Sequence, residues 1–173
     1  GLESTFVDSR EIFKTDAVVG NAQIINSVSE KLTRDRFATI PPNHVVVVTG
    51  FIASTEKGDT TTLGSNGSNY SADLLANYLN ASELQNYTHV DGIFTANPEL
   101  VPEAKIIRHL SYEEANELAN FGASILHAKT IIPLIEKGIP LRIKNTFNSD
   151  DAGTLIHQES VQEGIKSISV IKD

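Results

Sequence analysis

The feature of this sequence that most limits its fold is an alternation of β-branched runs with helix-like segments. Residues 44–50, HVVVVTG, contain four consecutive valines and end in glycine, which is typical of a strand buried on both faces. Before this run, residues 21–37 predict a helix with Ile24, Ile25, Val28 and Leu32 on one face. Alternation of this kind predicts an α/β domain with a largely parallel sheet.

Further strands are predicted on the carboxyl-terminal side of the valine run. Residues 51–63, FIASTEKGDTTTL, predict a hairpin with its turn at Glu56-Lys57-Gly58-Asp59. The later strand-like segments are residues 83–90, 140–146 and 153–157. Ligands bind beyond the carboxyl ends of strands in such sheets, so three loops qualify as sites: Thr49-Gly50, Thr88 to Pro98 and Lys144 to Asn148.

Two later helices carry end signals. Ser111, followed three residues later by Glu114, forms a capping box. In the segment TIIPLIEKG, Thr130 can cap the helix, Pro133 fits only its first turn, and Gly138 ends it. These signals predict one helix within residues 110–122, closed by Gly122 as its C-cap, and a second within residues 130–138.

A stretch of small polar residues, TTTLGSNGSN over residues 60–69, leads into a helix with Tyr70, Leu74 and Tyr78 on its apolar stripe. Glycines let a backbone approach a ligand, and a helix N-terminus offers unpaired N–H groups, so residues 64–69 could hold a phosphate or carboxylate. The alternative is an ordinary loop with Ser68 or Asn69 as the N-cap.

Composition excludes several classes of function. The formal net charge of −8 argues against nucleic acid or an anionic membrane as the main partner. The absence of cysteine excludes disulfides and thiolate metal sites and fits a reducing cytoplasm. The five histidines have no metal-ligand spacing, so no structural metal is expected. No apolar run approaches the ~20 residues of a membrane span.

Several long blocks resemble one family. They are VVTGFIASTEKGDTTTLGSNGSNYSADLLA, VDGIFTANPELVPEAKII, LSYEEANELANFGASILHAKTIIPLIEKGIPLRIKNTFN and AGTLI. In this order they closely resemble aspartokinase, above all the kinase part of bifunctional aspartokinase/homoserine dehydrogenases. The resemblance implies ATP-dependent phosphorylation of the aspartate side chain, at the head of lysine, threonine and methionine synthesis. The implied fold is the three-layer αβα sandwich of the amino-acid kinases, carbamate kinase-like, with a mainly parallel sheet.

The resemblance also implies site residues. Aspartate would be held by Ser65, Asn66, Gly67 and Ser68, with Asn69 as the catalytic position facing the transferring phosphate. ATP would be contacted by Thr88, His89, Phe94, Glu99 and Ser124, with Mg²⁺ bridging the phosphates. The partners implied are the small molecules ATP and L-aspartate, and a homo-oligomer is expected for the full-length protein.

Seven positions depart from the usual family pattern. The family usually has arginine at Ser65, glycine at Asn66, aspartate at Asn69, aspartate at His89 and Asn97, arginine at Glu99 and lysine at Ser124. Without an arginine at position 65 the site would lack a bidentate clamp for a carboxylate. Without basic residues at positions 99 and 124 it would lack groups that neutralise phosphate charge. The departures fit either a divergent subgroup or a kinase half that has lost its activity.

The domain expectation is that only part of a kinase is present. The chain starts at Gly1, contains no methionine, and lacks the family's Lys-Phe-Gly-Gly loop. We therefore expect residues 1–157 to be the carboxyl-terminal portion of the kinase domain, inactive alone, and residues 158–173 to lead into a regulatory domain. Two alternatives stay open: a catalytically dead kinase-like domain kept for binding or assembly, or an amino-acid kinase with another acceptor. The blocks FGASILH and IKNTFN favour aspartokinase over the second alternative.

Overall fold

The computed structural model describes residues 1–120 and 131–159. It divides into two compact units, Gly1–Leu79 and Asn80–Asp173. No helix within the described part of the chain is long and apolar enough to cross a membrane.

The first unit contains five strands and three helices among its described elements. In chain order these are β1 (Ser4–Val7), α1 (Ser9–Ile12), β2 (Lys14–Thr15), α2 (Asn26–Ala38), β3 (Val45–Val48), β4 (Ile52–Thr55), β5 (Thr60–Thr62) and α3 (Gly67–Leu79). Strand β1 pairs in parallel with β3, with Phe6 opposite Val47. Strand β2 pairs in parallel with β4, and β4 pairs antiparallel with β5. The predicted hairpin is confirmed, and Gly58 in its turn has φ +97°.

The core of this unit is built around the apolar stripe of α3. Leu74 and Tyr78 of α3 are buried in one cluster with Phe13, and Tyr70 packs against that cluster. The rings of Phe13 and Tyr78 meet edge to face with centroids 6.4 Å apart. The prediction that the α3 tyrosines belong to the core is therefore confirmed.

The valine strand differs from its prediction. Val45 and Val47 are 44% and 52% exposed, whereas Val46 and Val48 pack against the core. Strand β3 lies in a two-stranded sheet with β1, and only one face of that sheet packs on the core among the described residues. The expectation of burial on both faces is therefore wrong for this structure.

Helix α2 also differs, because it begins at Asn26 rather than before Ile24. Ile24 instead makes an isolated bridge with Thr15. The buried residues of α2 are Ser29 and Thr33. The Ser29 hydroxyl accepts a hydrogen bond from the Lys14 N–H at 2.9 Å and donates to the Lys14 carbonyl at 3.2 Å. A hydroxyl that satisfies a neighbouring strand can be buried without penalty, and Ser29 is accordingly buried whereas Val28 and Leu32 of the predicted apolar face are only half-buried.

The second unit contains a four-stranded sheet and two helices among its described elements. These are β6 (Leu84–Thr88), β7 (His109–Ser111), α4 (Tyr112–Asn120), α5 (Ile132–Lys137), β8 (Leu141–Asn145) and β9 (Thr154–His157). The strand order is β6-β8-β9-β7. The pairs β6-β8 and β7-β9 are parallel, and β8-β9 is antiparallel. With the two parallel pairs of the first unit, the prediction of an α/β chain with mainly parallel strands is confirmed.

The helix end signals of this unit are mostly confirmed. Glu114 N–H donates to the Ser111 hydroxyl, and Ser111 N–H donates to the Glu114 carboxylate at 2.7 Å, which is the predicted capping box. Pro133 lies in the first turn of α5, and Gly138 ends it with φ +62°. The N-cap residue of α5 is Ile131. Thr130, the predicted cap, lies outside the described residues, as does Gly122.

Candidate active site

The Gly-rich loop, defined as residues 64–69, turns sharply into α3, and its last three residues form the start of that helix. Gly64 and Asn66 have φ of +79° and +56°, and the Gly67 N–H donates to the Gly64 carbonyl at 3.1 Å. Because α3 begins at Gly67, Ser68 and Asn69 lie in its first turn. The alternative in which either of them is the N-cap is therefore wrong, since Asn66 precedes the helix and its carbonyl accepts from the Tyr70 N–H.

The loop presents small polar groups at a helix N-terminus. Ser65, Asn66 and Ser68 are exposed, and Asn69 is half-buried. By helix geometry the first-turn amides, including those of Ser68 and Asn69, have no carbonyl one turn earlier to receive them. Such amides, with the positive end of the helix dipole, suit a carboxylate or phosphate.

Close packing beneath the loop fixes its path. A Cβ atom on Gly67 would lie 2.8 Å from Cδ2 of Phe51 and 3.1 Å from Cβ of Leu63. A Cβ on Gly50 would lie 3.2 Å from the Cα of Ser68. A side chain at position 67 would displace the Phe51 ring, and one at position 50 would press on the Ser68 backbone. The loop between β3 and β4 therefore supports the first turn of α3.

Phe51 has a backbone conformation that is unusual for a bulky residue, with φ +73°. Two hydrogen bonds hold it. Its N–H donates to the Ser71 hydroxyl at 3.0 Å, and its carbonyl accepts from the Leu63 N–H at 3.0 Å. Ser71 also donates to the Gly67 carbonyl at 2.8 Å, so one hydroxyl joins the β3–β4 loop to the helix start.

The carboxyl ends of β1 and β3 lie side by side, and the hydroxyl groups of Ser9 and Thr49 meet just beyond them. The Ser9 hydroxyl lies 2.8 Å from that of Thr49 and donates to the Ile52 carbonyl at 2.6 Å. Asp8 caps α1 and accepts from the Nε of Arg10 at 3.0 Å, and this hydrogen bond lowers the pKa of the Asp8 carboxyl. Arg10 is thus paired with the N-cap residue of its own helix.

The predicted nucleotide residues share one segment after β6. Thr88 ends β6, and its carbonyl accepts from the Thr146 N–H at 2.8 Å. His89 is exposed, and its Nδ1 lies 3.4 Å from the Thr88 hydroxyl. Phe94 is half-buried and bridges to Ile106. Thr88, His89 and Phe94 are therefore brought into one loop at the carboxyl end of β6.

Glu99 lies further along the same segment and is exposed. Its N–H donates to the side-chain oxygen of Asn97 at 2.9 Å, which is an Asx-type turn. The asparagine side chain supplies the acceptor oxygen that this turn uses. Ser124 lies outside the described residues, so its predicted contact remains a prediction.

A buried threonine missed by the sequence reasoning anchors this segment. Thr154 has no exposed surface; its hydroxyl accepts from the Ile93 N–H at 2.9 Å and donates to the Ile107 carbonyl at 2.6 Å. A Cβ on Gly92 would lie 2.6 Å from that hydroxyl oxygen. Ile93 and Thr154 are 61 residues apart, so nothing local in the sequence signals the threonine.

Two ion pairs stabilise the sheet of the second unit. Arg108 donates to both carboxylate oxygens of Asp151, at 2.5 and 3.0 Å, and this pairing lowers the pKa of Asp151 to about 2. Arg142 donates to both carboxylate oxygens of Glu83, at 3.1 and 2.9 Å, and lowers the pKa of Glu83. Bidentate pairs of this kind fix the orientation of both side chains.

Comparison with known proteins gives the family. The model of the amino acid kinase family matches residues 1–145. The chain is 39% identical over 159 residues to the chloroplastic bifunctional aspartokinase/homoserine dehydrogenase 2 of Arabidopsis thaliana, covering 91% of this chain and 17% of that protein. It is 43% identical over 139 residues to the bifunctional aspartokinase/homoserine dehydrogenase of Haemophilus influenzae, covering 80% of this chain and 17% of that protein.

A solved structure agrees with these relatives. The crystal structure of E. coli aspartokinase III in complex with aspartate and ADP superposes with a TM-score of 0.86 at 34% identity, covering 92% of this chain and 36% of that one. The chain thus spans less than a fifth of the bifunctional relatives and about a third of the solved protein. The expected amino-acid kinase fold is confirmed, and the chain belongs to the amino acid kinase family.

Proposed function

We propose that the full-length protein containing this chain is an aspartokinase, which transfers the γ-phosphoryl group of ATP to the side-chain carboxylate of L-aspartate. The observation that carries the proposal is the loop of residues 64–69 at the start of α3, in a chain whose reported relatives are aspartokinases. The product, aspartyl phosphate, would enter the synthesis of lysine, threonine and methionine. Alone, residues 1–173 would be inactive.

The aspartate would bind at the amino end of α3. Backbone amides of the first turn, with the side chains of Ser65, Asn66 and Ser68, supply donors for its carboxylates. Asn69, which we propose as the catalytic position, is held by the same turn. Phosphoryl transfer depends mainly on positioning and on stabilising oxygen charge, and a rigid set of amide donors supplies both.

The nucleotide would bind along the segment after β6. Thr88 and His89 would contact the ribose and base, and Phe94 would pack against the adenine, with Glu99 and Ser124 nearby. The support is that Thr88, His89 and Phe94 lie in one loop at the carboxyl edge of a parallel pair, where ligands of open α/β sheets bind.

Magnesium would arrive with the nucleotide rather than in a protein cage. No group of three or more histidine, aspartate or glutamate side chains that could hold a metal occurs within residues 1–120 and 131–159. Mg²⁺ does not need such a group of protein ligands, because it commonly takes one or two carboxylates together with substrate phosphates and waters. When bound, the ion would neutralise charge on the phosphate oxygens.

A catalytically dead kinase-like domain is the second candidate, and Glu99 favours it. An exposed carboxylate in the nucleotide segment would repel phosphate, whereas the family's usual arginine would attract it. Activity of the full-length protein decides between the two candidates. A different acceptor amino acid is less well supported, because the reported relatives are named as aspartokinases.

The remaining proposals concern the cellular setting. We propose that the full-length protein is a cytoplasmic homo-oligomer that acts on small molecules and has neither nucleic acid nor membrane as its partner, in keeping with the net charge of −8. We also propose that the kinase portion ends near residue 157, and that residues 158–173 lead into a regulatory domain.

The test is an acceptor assay on the complete gene product. Aspartyl phosphate formed from Mg·ATP is trapped with hydroxylamine, with glutamate and other amino acids as parallel acceptors. We expect hydroxamate with aspartate alone. Activity on glutamate without activity on aspartate would refute the proposal, and absence of activity on every acceptor would favour the dead domain.

A further inference from the structure

Asp91 connects the two loops that follow the parallel strands β6 and β8. Its Oδ1 accepts a hydrogen bond from the side-chain amide of Asn145 at 2.8 Å and another from that of Asn148 at 3.1 Å. Asn145 is the last residue of β8 and lies opposite Thr88, the last residue of β6. The two loops thus begin side by side, and one carboxylate oxygen bridges them.

Asn145 is itself oriented for this contact. Its side-chain oxygen accepts from the Phe147 N–H at 2.9 Å, which directs the amide nitrogen of the same side chain toward Asp91. Its backbone carbonyl accepts from the Asn148 N–H at 3.2 Å, which closes the turn that brings Asn148 to the same oxygen. Two amide donors converging on one carboxylate oxygen make charge-assisted bonds, which are stronger than bonds between neutral groups.

The segment between Thr88 and Phe94 is consequently held at both ends. The Thr88 carbonyl accepts from the Thr146 N–H, and Asp91 binds the two asparagines three residues later. Beyond Asp91, the Ile93 N–H donates to the buried hydroxyl of Thr154. His89 is exposed and Phe94 half-buried within this segment, so the anchors at Thr88, Asp91 and Ile93 help to determine where both side chains lie.

We infer that Asp91 is a positioning residue for the nucleotide, acting through Asn145 and Asn148 to hold the segment that carries Thr88, His89 and Phe94. The inference rests on the proposed function for the nucleotide role of that segment. Asp91 need not touch the ligand. Its removal should allow residues 89–94 to sample other conformations, and nucleotide binding would then have to order them again, which weakens affinity.

The experiment uses the full-length gene product and compares Asp91→Ala with Asp91→Asn, which keeps the acceptor oxygen. We expect D91A to raise the KM for Mg·ATP about tenfold while kcat and the KM for aspartate change less than about twofold. D91N should stay within about threefold of the unsubstituted protein. Asp150→Ala, which removes an exposed carboxylate from the same turn, is the matched control and should change nothing.

Direct titration with Mg·ADP should show the same order of affinities without any acceptor. A folded D91A protein with unchanged nucleotide affinity would overturn the inference, and so would equal increases in both KM values, which indicate a general structural role. If D91A does not fold, Asn148→Ala removes one exposed donor and should weaken Mg·ADP binding about threefold. An unchanged affinity there would overturn the inference as well.

Failure of the proposed function gives a different pattern. Nucleotide binding that D91A weakens, without phosphorylation of aspartate, would refute the acceptor and leave the positioning role intact. Aspartate phosphorylation that D91A leaves unchanged would refute the positioning role alone. No nucleotide binding by the unsubstituted protein would overturn both.

Discussion

The side-chain oxygen of Ser71 accepts the Phe51 N–H at 3.0 Å and donates to the Gly67 carbonyl at 2.8 Å. This one hydroxyl holds an aromatic residue with φ +73° against the first turn of the helix that follows the Gly-rich loop. Ser71 is 2% exposed, so water cannot readily replace it. The proposed aspartate site therefore depends on a side chain that lies beneath the loop.

Replacing Ser71 with alanine should destabilise the protein. The Phe51 N–H would lose its acceptor in a partly buried setting, which costs about 1–3 kcal/mol in the free energy of unfolding. Chemical denaturation of the full-length protein measures the change, with Ser68→Ala as the control because Ser68 is an exposed serine of the same helix. Equal stabilities of the two variants would contradict the role assigned to Ser71.

Gly67→Ala should also destabilise the protein, but through a steric clash, because the new Cβ would lie 2.8 Å from Phe51 Cδ2. Overpacking of this kind costs about 1–3 kcal/mol, and the displaced turn should also raise the KM for aspartate. The F51A background removes Cδ2, the nearest atom, so G67A should cost less stability there than in the unsubstituted protein. A G67A effect of the same size in both backgrounds would rule out the contact with Phe51 as the cause.

Asn69→Asp restores the residue usual in aspartokinases and tests whether Asn69 is a decayed position. We expect no gain in turnover from this change alone, because Asn66, three residues earlier in the chain, also differs from the family pattern and neighbouring changes couple. A charge-assisted bond is worth roughly 1.5–3 kcal/mol, or about 10- to 150-fold in rate. A gain of tenfold or more in kcat for the full-length enzyme would instead identify Asn69 as a lost catalytic group.

The Arg108–Asp151 pair predicts a pH dependence of stability. The pKa of Asp151 is lowered to about 2 from 3.8, so its contribution is complete above about pH 4 and is lost as the pH falls toward 2. The Tm of the unsubstituted protein should exceed that of D151N above pH 4, and the difference should shrink below it. D150N, at the neighbouring exposed carboxylate, is the control. A difference in Tm that stays constant from pH 5 to 2 would refute this pairing.

Residues 1–173 alone should bind Mg·ATP weakly or not at all, because they lack the family's lysine loop that contacts the phosphates. Calorimetric titration of this segment against the full-length protein measures the difference. The full-length protein serves as the positive control. Low-micromolar affinity of residues 1–173 would show that they hold a complete nucleotide site.

Local features of the chain were predictable because short-range chemistry determines them. The capping box of Ser111 and Glu114 and the αL termination at Gly138 depend on residues within one helical turn. The hairpin turn at Gly58 has the same local origin. The alternation of strand-like and helix-like segments predicted the α/β class. The resemblance to aspartokinase rested on long blocks of sequence.

Long-range contacts decided what the sequence patterns left open or misassigned. Val45 and Val47 are as apolar as Val46 and Val48, and only the packing of one sheet face makes the two pairs differ. Ser29 is buried because the Lys14 backbone is there to satisfy its hydroxyl, 15 residues away. No periodicity in the sequence contains that information.

The candidate site likewise contains features that the sequence predicted and features that only the tertiary structure decided. The sequence alone determined that Ser65 to Asn69 precede or open a helix and that Thr88 follows a strand. Only the tertiary structure decided that Asp91 meets Asn145 and Asn148, which lie 54 and 57 residues further along the chain. The physical reason is that β6 and β8 are neighbours in the sheet although they are distant in sequence, and their shared edge brings these side chains within hydrogen-bonding distance.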